Sequence, residues 1–182
     1  MSEKTILTII FILILLMLFL NPKVNVFKII ISQFSVFKNA KTDKFSAWDF
    51  CCFIVFPIVI SVLLVFSLGY SITNTLASVL TTVFAFVFTV LFGFAAILVG
   101  KINSCNKIEK QVTEETFISV LSSTLLSLIA AIVCIVLLNI DEKAECIRSI
   151  LSTVIYGISF MTIMLMLMIT KRTYIIYCNT KK

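Results

Sequence analysis

The sequence predicts an all-α integral membrane protein: a single domain, residues 1–182, folded as a bundle of four to five transmembrane helices. The first observation is composition, since 60% of the residues are hydrophobic, whereas an average soluble domain is roughly 45–50% apolar. The second is charge, since only 13% of the residues are charged, about half the usual share. The third is the recurrence of apolar stretches near the ~20 residues that cross a bilayer. The candidate spans are 6–20, 50–68, 76–100, 117–138 and 150–170.

The first candidate span, 6–20, is short. As a helix it covers about 22 Å, less than the ~30 Å hydrocarbon core of a bilayer. No small-residue cleavage site follows it, so we expect an uncleaved signal anchor or a short spanning helix. Whether it crosses the membrane decides between four and five spans.

The segment 23–44 is predicted to be an amphipathic helix that lies along the membrane surface. Its apolar residues recur near helical spacing, and lysines suit the anionic head groups of lipids. A helix that docks a partner is the alternative. The lysines form most of a predicted cytoplasmic basic surface, which comprises Lys23, Lys28, Lys38, Lys41, Lys44, Lys171 and Arg172.

The span 50–68 follows Trp48, an aromatic residue typical of the membrane interface. Asp49 is expected to cap this helix. Pro57 lies inside the span and deprives the carbonyl of Phe53 of its donor, which predicts a kink. The short uncharged segment 69–75 then turns the chain into the next span.

The segment 76–100 is predicted to be the helix around which its neighbours, or copies of the chain in an oligomer, pack. Small residues recur on it at intervals of three and four, which places them on one narrow stripe. Lipid gives helices no hydrophobic reason to associate, so small residues that allow close approach are typical of helix contacts in membranes. A second interpretation is that the stripe lines a narrow pore. The stripe consists of Ser78, Thr82, Ala85, Thr89, Gly93, Ala96 and Gly100.

A second small-residue stripe runs along the span 117–138. We expect the two stripes to pack against each other. The polar segment 101–116 precedes this span, and the helix that forms the span is expected to start near Thr113. Lys171 and Arg172 are expected to end the last span, 150–170. The second stripe consists of Thr116, Ser119, Ser123, Ser127, Ala130 and Cys134.

The basic residues are divided unequally between the two predicted sides of the membrane. Twelve of the 15 Lys and Arg residues lie in 23–49, in 101–116 or from Lys171 onward. Because cytoplasmic segments carry an excess of Lys and Arg, this division predicts a cytoplasmic carboxyl terminus. The net charge of +6 is thus attributed to orientation and lipid contact, with no direct binding of nucleic acid.

The residue types disfavour several function classes. Histidine is absent, which removes the usual general base and the commonest metal ligand. No ionisable residue lies within a predicted span, which disfavours an ion-coupled transporter. The six cysteines form no C-x-x-C motif, and no phosphate-binding loop occurs. We therefore predict no catalytic, cofactor-binding or metal-binding residues, no cofactor, and a protein that is not an enzyme.

The layout of the chain resembles a known family. The motif Lys-x-Asp-Lys-x-Ser-x-Trp-Asp, 41–49, precedes a span with Pro57, an uncharged turn and the small-residue stripe of 76–100, and the last span ends in Lys-Arg-x-Tyr, 171–174. This layout resembles the small membrane subunit of the Kiwa anti-phage defence system. The resemblance implies four spans and an oligomeric subunit of the bacterial inner membrane. It also implies that this subunit senses infection and acts with a cytoplasmic, DNA-binding effector subunit.

Two other functions stay open from the sequence. One is a pore-forming or depolarising membrane effector of the holin type. The other is a bacteriocin-immunity protein. A sensor needs a cytoplasmic effector, whereas a pore acts without a partner.

Overall fold

The computed structural model describes Ile6, Ile9, Ile10, Leu13, Leu16, Met17 and the ranges 26–36, 46–102, 107–140 and 144–180. These residues are almost all helical, and none of them forms a strand. The chain is thus an all-α helical bundle, as predicted. The four described ranges contain the helices α1 (Val26–Val36), α2 (Ala47–Ser67), α3 (Asn74–Ile102), α4 (Lys107–Asn139) and α5 (Glu145–Thr180).

Four of these helices are long and apolar enough to cross a membrane. The crossing segments are Ala47–Ser67, Asn74–Gly100, Lys110–Asn139 and Glu145–Ile175. They correspond to the last four predicted spans. The predicted span 6–20 lies largely outside the described residues, although the six described there are helical with exposed side chains. The fifth span therefore stays a prediction.

The helices α4 and α5 extend well beyond the predicted spans. The segment 107–116, expected to be mostly loop, is the first part of α4, and Lys171 and Arg172 do not end α5. At 33 and 36 residues, the two helices are about 50 and 54 Å long, whereas the bilayer core needs only ~30 Å. Lysine and arginine are good helix formers, so a helix that leaves the membrane at such residues has no reason to stop.

The start of α2 also differs from the expected one. Ser46, not Asp49, is the N-cap residue, and its side chain accepts a hydrogen bond of 3.3 Å from the backbone N–H of Asp49. One turn before Pro57 the helix widens into a π-helical segment, in which the N–H of Phe56 donates to the carbonyl of Cys51. The proline thus disturbs the helix at the predicted place without ending it.

The helix α4 occupies the centre of the bundle. It packs against α3 on one side and α5 on the other, α1 also lies against it, and α2 packs on α5. In an apolar stretch of 18 residues taken from each helix, 61% of the α4 residues are buried, against 22% of the α3 residues. The prediction that 76–100 is the helix around which the others pack is therefore wrong within the single chain, because α4 has that position.

The two ends of the bundle are named here after the arginines found there. At the Arg148 end, the connection between α2 and α3 reverses at Gly69, which has a φ of 69°. This is the left-handed region that glycine adopts without strain. Apolar contacts then continue along the bundle in two clusters. One lies toward the Arg148 end around Phe84 and Leu137, and the other toward the Arg172 end around Leu91 and Val120.

The helix α1 packs on the bundle, whereas the sequence predicted a helix that lies along the membrane surface. Gln33 and Val36 are buried, whereas Ile31 and Phe34 of the predicted apolar face are exposed. The same helix lines a cavity together with Ile129, a residue inside the crossing segment of α4. Contact with α4 therefore determines which side of α1 is buried.

Candidate functional site

The predicted small-residue stripe of 76–100, called the α3 stripe below, lies on the exposed side of α3. All seven of its residues are exposed in the single chain. A Cβ atom added to Gly93 or Gly100 would meet no described atom within 4 Å. The packed face of α3 consists instead of Ala77, Phe84, Leu91, Ala95 and Leu98.

The corresponding stripe of the span 117–138, called the α4 stripe, has the opposite environment. Its six residues are all fully buried, at 0% exposure. The two stripes therefore do not pack against each other, and the predicted contact between them is wrong. The α4 stripe meets the larger side chains of α3, such as Phe84, and those of α5, such as Ile155.

The glycine that lies closest to another helix is Gly157, which is not part of either stripe. A Cβ atom added to Gly157 of α5 would lie 3.3 Å from Oγ of Ser61 in α2. Ser61 is 1% exposed, and its hydroxyl donates to the carbonyl of Ile58 at 2.8 Å. Sequence reasoning did not select this pair, because a single glycine and a single serine form no repeated pattern. The available signal was that Gly157 is the one glycine of the last predicted span.

A buried arginine connects α3 to α5 at the Arg148 end. Arg148 is 8% exposed and donates from Nη1 and Nη2 to Oδ1 of Asn74 at 3.1 and 3.0 Å. Its Nη2 also donates to the carbonyl of Ile72 at 2.9 Å. The N–H of Ile72 in turn donates to Oγ of Ser152 at 2.9 Å. No local pattern in the sequence predicts this connection, since the partners of Arg148 are more than 70 residues away.

The predicted basic surface is described only in part. Lys28 and Lys171 are exposed, and Arg172 is half-buried. The Nη1 atom of Arg172 lies 3.2 Å from Oε2 of Glu115, which forms an ion pair between α5 and α4 without a straight hydrogen bond. The remaining members, Lys23, Lys38, Lys41 and Lys44, lie outside the described residues.

A cleft of about 480 Å³ lies beside this ion pair at the Arg172 end. Val36 of α1, Asp49 of α2 and the carboxyl-terminal part of α5, with Lys171 and Arg172, line it. It thus brings together parts of two of the three basic segments that were assigned to one side of the membrane, 23–49 and the part from Lys171 onward. Its charged groups, Asp49, Lys171 and Arg172, include both signs, and its other lining residues are apolar.

No catalytic or metal-binding residues were predicted from the sequence, and this stays a prediction. Within the described ranges, no group of three His, Cys, Asp or Glu side chains is placed to hold a metal ion. The surfaces with a distinct character are the exposed α3 stripe and the polar Arg172 end. Comparison with protein-family models, with curated proteins and with solved structures finds no match for this chain.

Proposed function

We propose that this chain is a non-enzymatic, multi-pass component of a bacterial antiviral defence system in the cell inner membrane. In this proposal it assembles with copies of itself, senses infection and acts with a cytoplasmic, DNA-binding effector subunit. The observation that carries the proposal is the exposure of the whole α3 stripe, a face suited to close helix contact that the chain does not use on itself. The layout shared with the Kiwa membrane subunit supports the antiviral context.

The chemistry of the α3 stripe favours a dry contact between copies. The hydroxyls of Thr82 and Thr89 donate to the carbonyls of Ser78 and Ala85, at 3.2 and 3.0 Å. Because these hydroxyls already have partners within the helix, they tolerate an apolar neighbour at little cost. The glycines leave room for a neighbouring backbone.

The Arg172 end is the proposed site of effector contact. The excess of basic residues in the segments that meet there supports a cytoplasmic position for this end and for the carboxyl terminus. Charged groups of both signs at such a surface steer a partner and fix its register. Lys38, Lys41 and Lys44 lie outside the described residues but belong to the predicted basic surface, so we expect their reversal to glutamate to weaken recovery of the effector with this chain.

A pore is the second candidate function, because the α3 stripe contains three hydroxyl residues. Copies that turn this face toward a common axis would line a channel with it. The intrahelical bonds of Thr82 and Thr89 use the O–H donors, although their oxygens can still accept from water. The other residues of the stripe include two alanines and two glycines, which suit a dry contact better than a wet lumen.

Membrane potential distinguishes the two functions. Cells that express this chain alone should keep their potential, and protection from phage should require the neighbouring effector gene. Ala96→Leu should abolish protection, because leucine prevents close approach on the stripe. Val90→Leu is the matched control, since Val90 is also exposed on α3 but lies off the stripe.

Depolarisation by the chain alone, together with protection that needs no effector, would contradict the proposal and support a pore. Orientation is checked separately with a cysteine at position 107 in a background without native cysteines. A membrane-impermeant thiol reagent should label this cysteine only after the cells are opened. Labelling from outside would reverse the proposed topology.

A further inference from the structure

A cavity of about 130 Å³ lies where α1, α2, α4 and α5 meet. Its walls are mostly apolar, with Ile30 from α1, Phe53 from α2, Ile129 from α4 and Met161 from α5. Phe34 at its edge is 39% exposed, so the cavity opens toward the side of the bundle. No charged side chain is found among the described residues that line it, which favours a neutral occupant.

Two polar side chains line this cavity without a partner. Gln33 is 8% exposed and Ser122 is 5% exposed. Among the described residues, no group forms a hydrogen bond with Oε1 or Nε2 of Gln33 or with Oγ of Ser122. An unpaired buried polar group costs about 1–3 kcal/mol, so such groups normally meet a partner, a water molecule or a ligand.

Ser122 is an exception among the serines of α4. The hydroxyls of Ser119, Ser123 and Ser127 donate to backbone carbonyls three or four residues earlier, at 2.9, 2.9 and 2.8 Å. Ser122 belongs to the same helix and makes no such bond. Its hydroxyl is therefore free to bind an occupant of the cavity.

The dimensions of the cavity match a small organic molecule. Its volume equals about four water molecules at ~30 Å³ each, and an apolar cavity of ~150 Å³ accommodates benzene. Each buried water needs two to four polar partners, whereas this cavity offers the polar atoms of only two side chains. An apolar body with one polar group satisfies both the walls and the two polar side chains.

We propose that this cavity binds a neutral, mainly apolar molecule that carries a hydroxyl group, of the alcohol or phenol class. The O–H of the ligand donates to Oε1 of Gln33, and its oxygen accepts from Nε2 of Gln33 or from Oγ of Ser122. An ester or ketone cannot donate to Oε1, and a hydrocarbon satisfies neither side chain. The ligand is either a free alcohol dissolved in the membrane or a hydroxyl-bearing lipid whose chains extend through the open side.

Photolabelling of the full chain in phospholipid nanodiscs tests this proposal. One arm uses a diazirine derivative of hexanol, the second the matching diazirine hexane, and the third a diacylglycerol with a diazirine in one chain. Mass spectrometry should find the hexanol label on Ile129 or Met161 about fivefold above the hexane label, the ratio for one net hydrogen bond. Competition by unlabelled diacylglycerol would identify a lipid source, and its absence a free alcohol.

Gln33→Leu and Ser122→Ala should each lower the preference for the hydroxyl, and Ser122→Ala is the variant least able to disturb the fold. Ser123→Ala is the matched control, because the Ser123 hydroxyl is bonded within its helix, and this variant should label like the unmodified chain. Equal labelling by hexanol and hexane would overturn the proposal. A hydroxyl preference that survives in both cavity variants, or no label in the cavity from any probe, would overturn it as well.

Discussion

The α3 and α4 stripes have the same kind of sequence and opposite surroundings. Both consist of small and hydroxyl residues at intervals of three and four. Every residue of the α4 stripe is fully buried, and every residue of the α3 stripe is exposed. The spacing therefore indicates that a helix can be approached closely on that side, but it does not indicate by which neighbour.

The physical origin of the difference is the position of each helix in the bundle. The helix α4 packs against α1, α3 and α5, whereas α3 packs closely along α4 alone and meets α5 through side chains such as Asn74, which accepts from Arg148. In water an apolar face would have to be covered, and its partner would follow from burial. In lipid no such pressure exists, so α3 can present either its small or its large residues to α4.

A leucine introduced into each stripe should produce the largest difference between them. Ser123→Leu adds volume at a site with 0% exposure, and we expect a loss of about 3 kcal/mol in the free energy of unfolding. Thr82→Leu makes a similar change on the exposed α3 stripe and should stay within about 0.5 kcal/mol. Reversible unfolding in bicelles measures both, with Ser123→Ala as a mild control. Equal losses in the two leucine variants would contradict the comparison.

Removal of the Arg148 side chain should test what determines the rotation of α3. Arg148→Met removes the hydrogen bonds that Arg148 donates to the carbonyl of Ile72 and to Oδ1 of Asn74, at a cost of about 2 kcal/mol. Because Asn74 is the first residue of α3, this connection fixes the helix next to α5 with its stripe outward. A spin label on the α3 stripe at Ala85 should change mobility in this variant.

The matched control for Arg148 is Ile147→Met, which alters an exposed neighbour on the same helix. It should leave both stability and the spin-label spectrum unchanged. If Arg148→Met weakens the fold but leaves the spectrum of the label unchanged, packing of Phe84 and Leu91 against α4 determines the rotation instead.

Much of the fold could be predicted from local sequence. Hydropathy and length predicted four helices that match the crossing segments. The reason is that backbone N–H and C=O groups in lipid must form hydrogen bonds within the protein, and a helix is one of the few structures that provides them. Pro57 also marks the part of α2 in which the helix is disturbed, since a π-helical segment lies directly before it. The extensions of α4 and α5 were not predicted, because each helix was expected to end near the polar residues at the membrane boundary, where helix propensity does not require an end.

The candidate surfaces were predictable to a smaller extent. The residues of the α3 stripe follow from spacing, but their exposure depends on which side of α3 packs in the bundle, and the packed side carries larger residues such as Phe84 and Leu91. Gln33 was part of a helix expected at the membrane surface, where a polar side chain needs no explanation. Its burial follows from the packing of α1 on α4, for which the sequence has no periodic signal.

An added methyl group compares two glycines with different surroundings. In Gly157→Ala the new Cβ lies 3.3 Å from Oγ of Ser61, a hydroxyl that is buried and bonded to Ile58. We expect a loss of about 0.5–1 kcal/mol in bicelle unfolding, in spite of the better helix propensity of alanine. Gly93→Ala meets no atom and should be neutral or slightly stabilising. Ser61→Ala combined with Gly157→Ala should recover the loss, and failure to do so would assign the effect elsewhere.

The smallest effect on the fold should accompany the largest effect on assembly. Gly93→Leu and Ala96→Leu change exposed positions, so the single chain should unfold as before. If copies meet through the α3 stripe, both variants should reduce oligomer size in detergent and in lipid, as measured by mass photometry and by single-molecule photobleaching. The physical reason is that a leucine separates two helix backbones that small residues allow to approach closely.

The same two measurements on Val90→Leu distinguish the stripe from the rest of α3. This variant also enlarges an exposed side chain, and it should leave oligomer size unchanged. A native oligomer in both stripe variants would mean that the exposed stripe faces lipid alone. The small residues of the α3 stripe would then take part in no helix contact, because α3 packs within the chain through Phe84, Leu91 and Leu98. The α4 stripe differs, since its small residues are buried within the chain. A loss of oligomer confined to the stripe variants would assign the two stripes complementary tasks, one in folding the chain and one in joining copies of it.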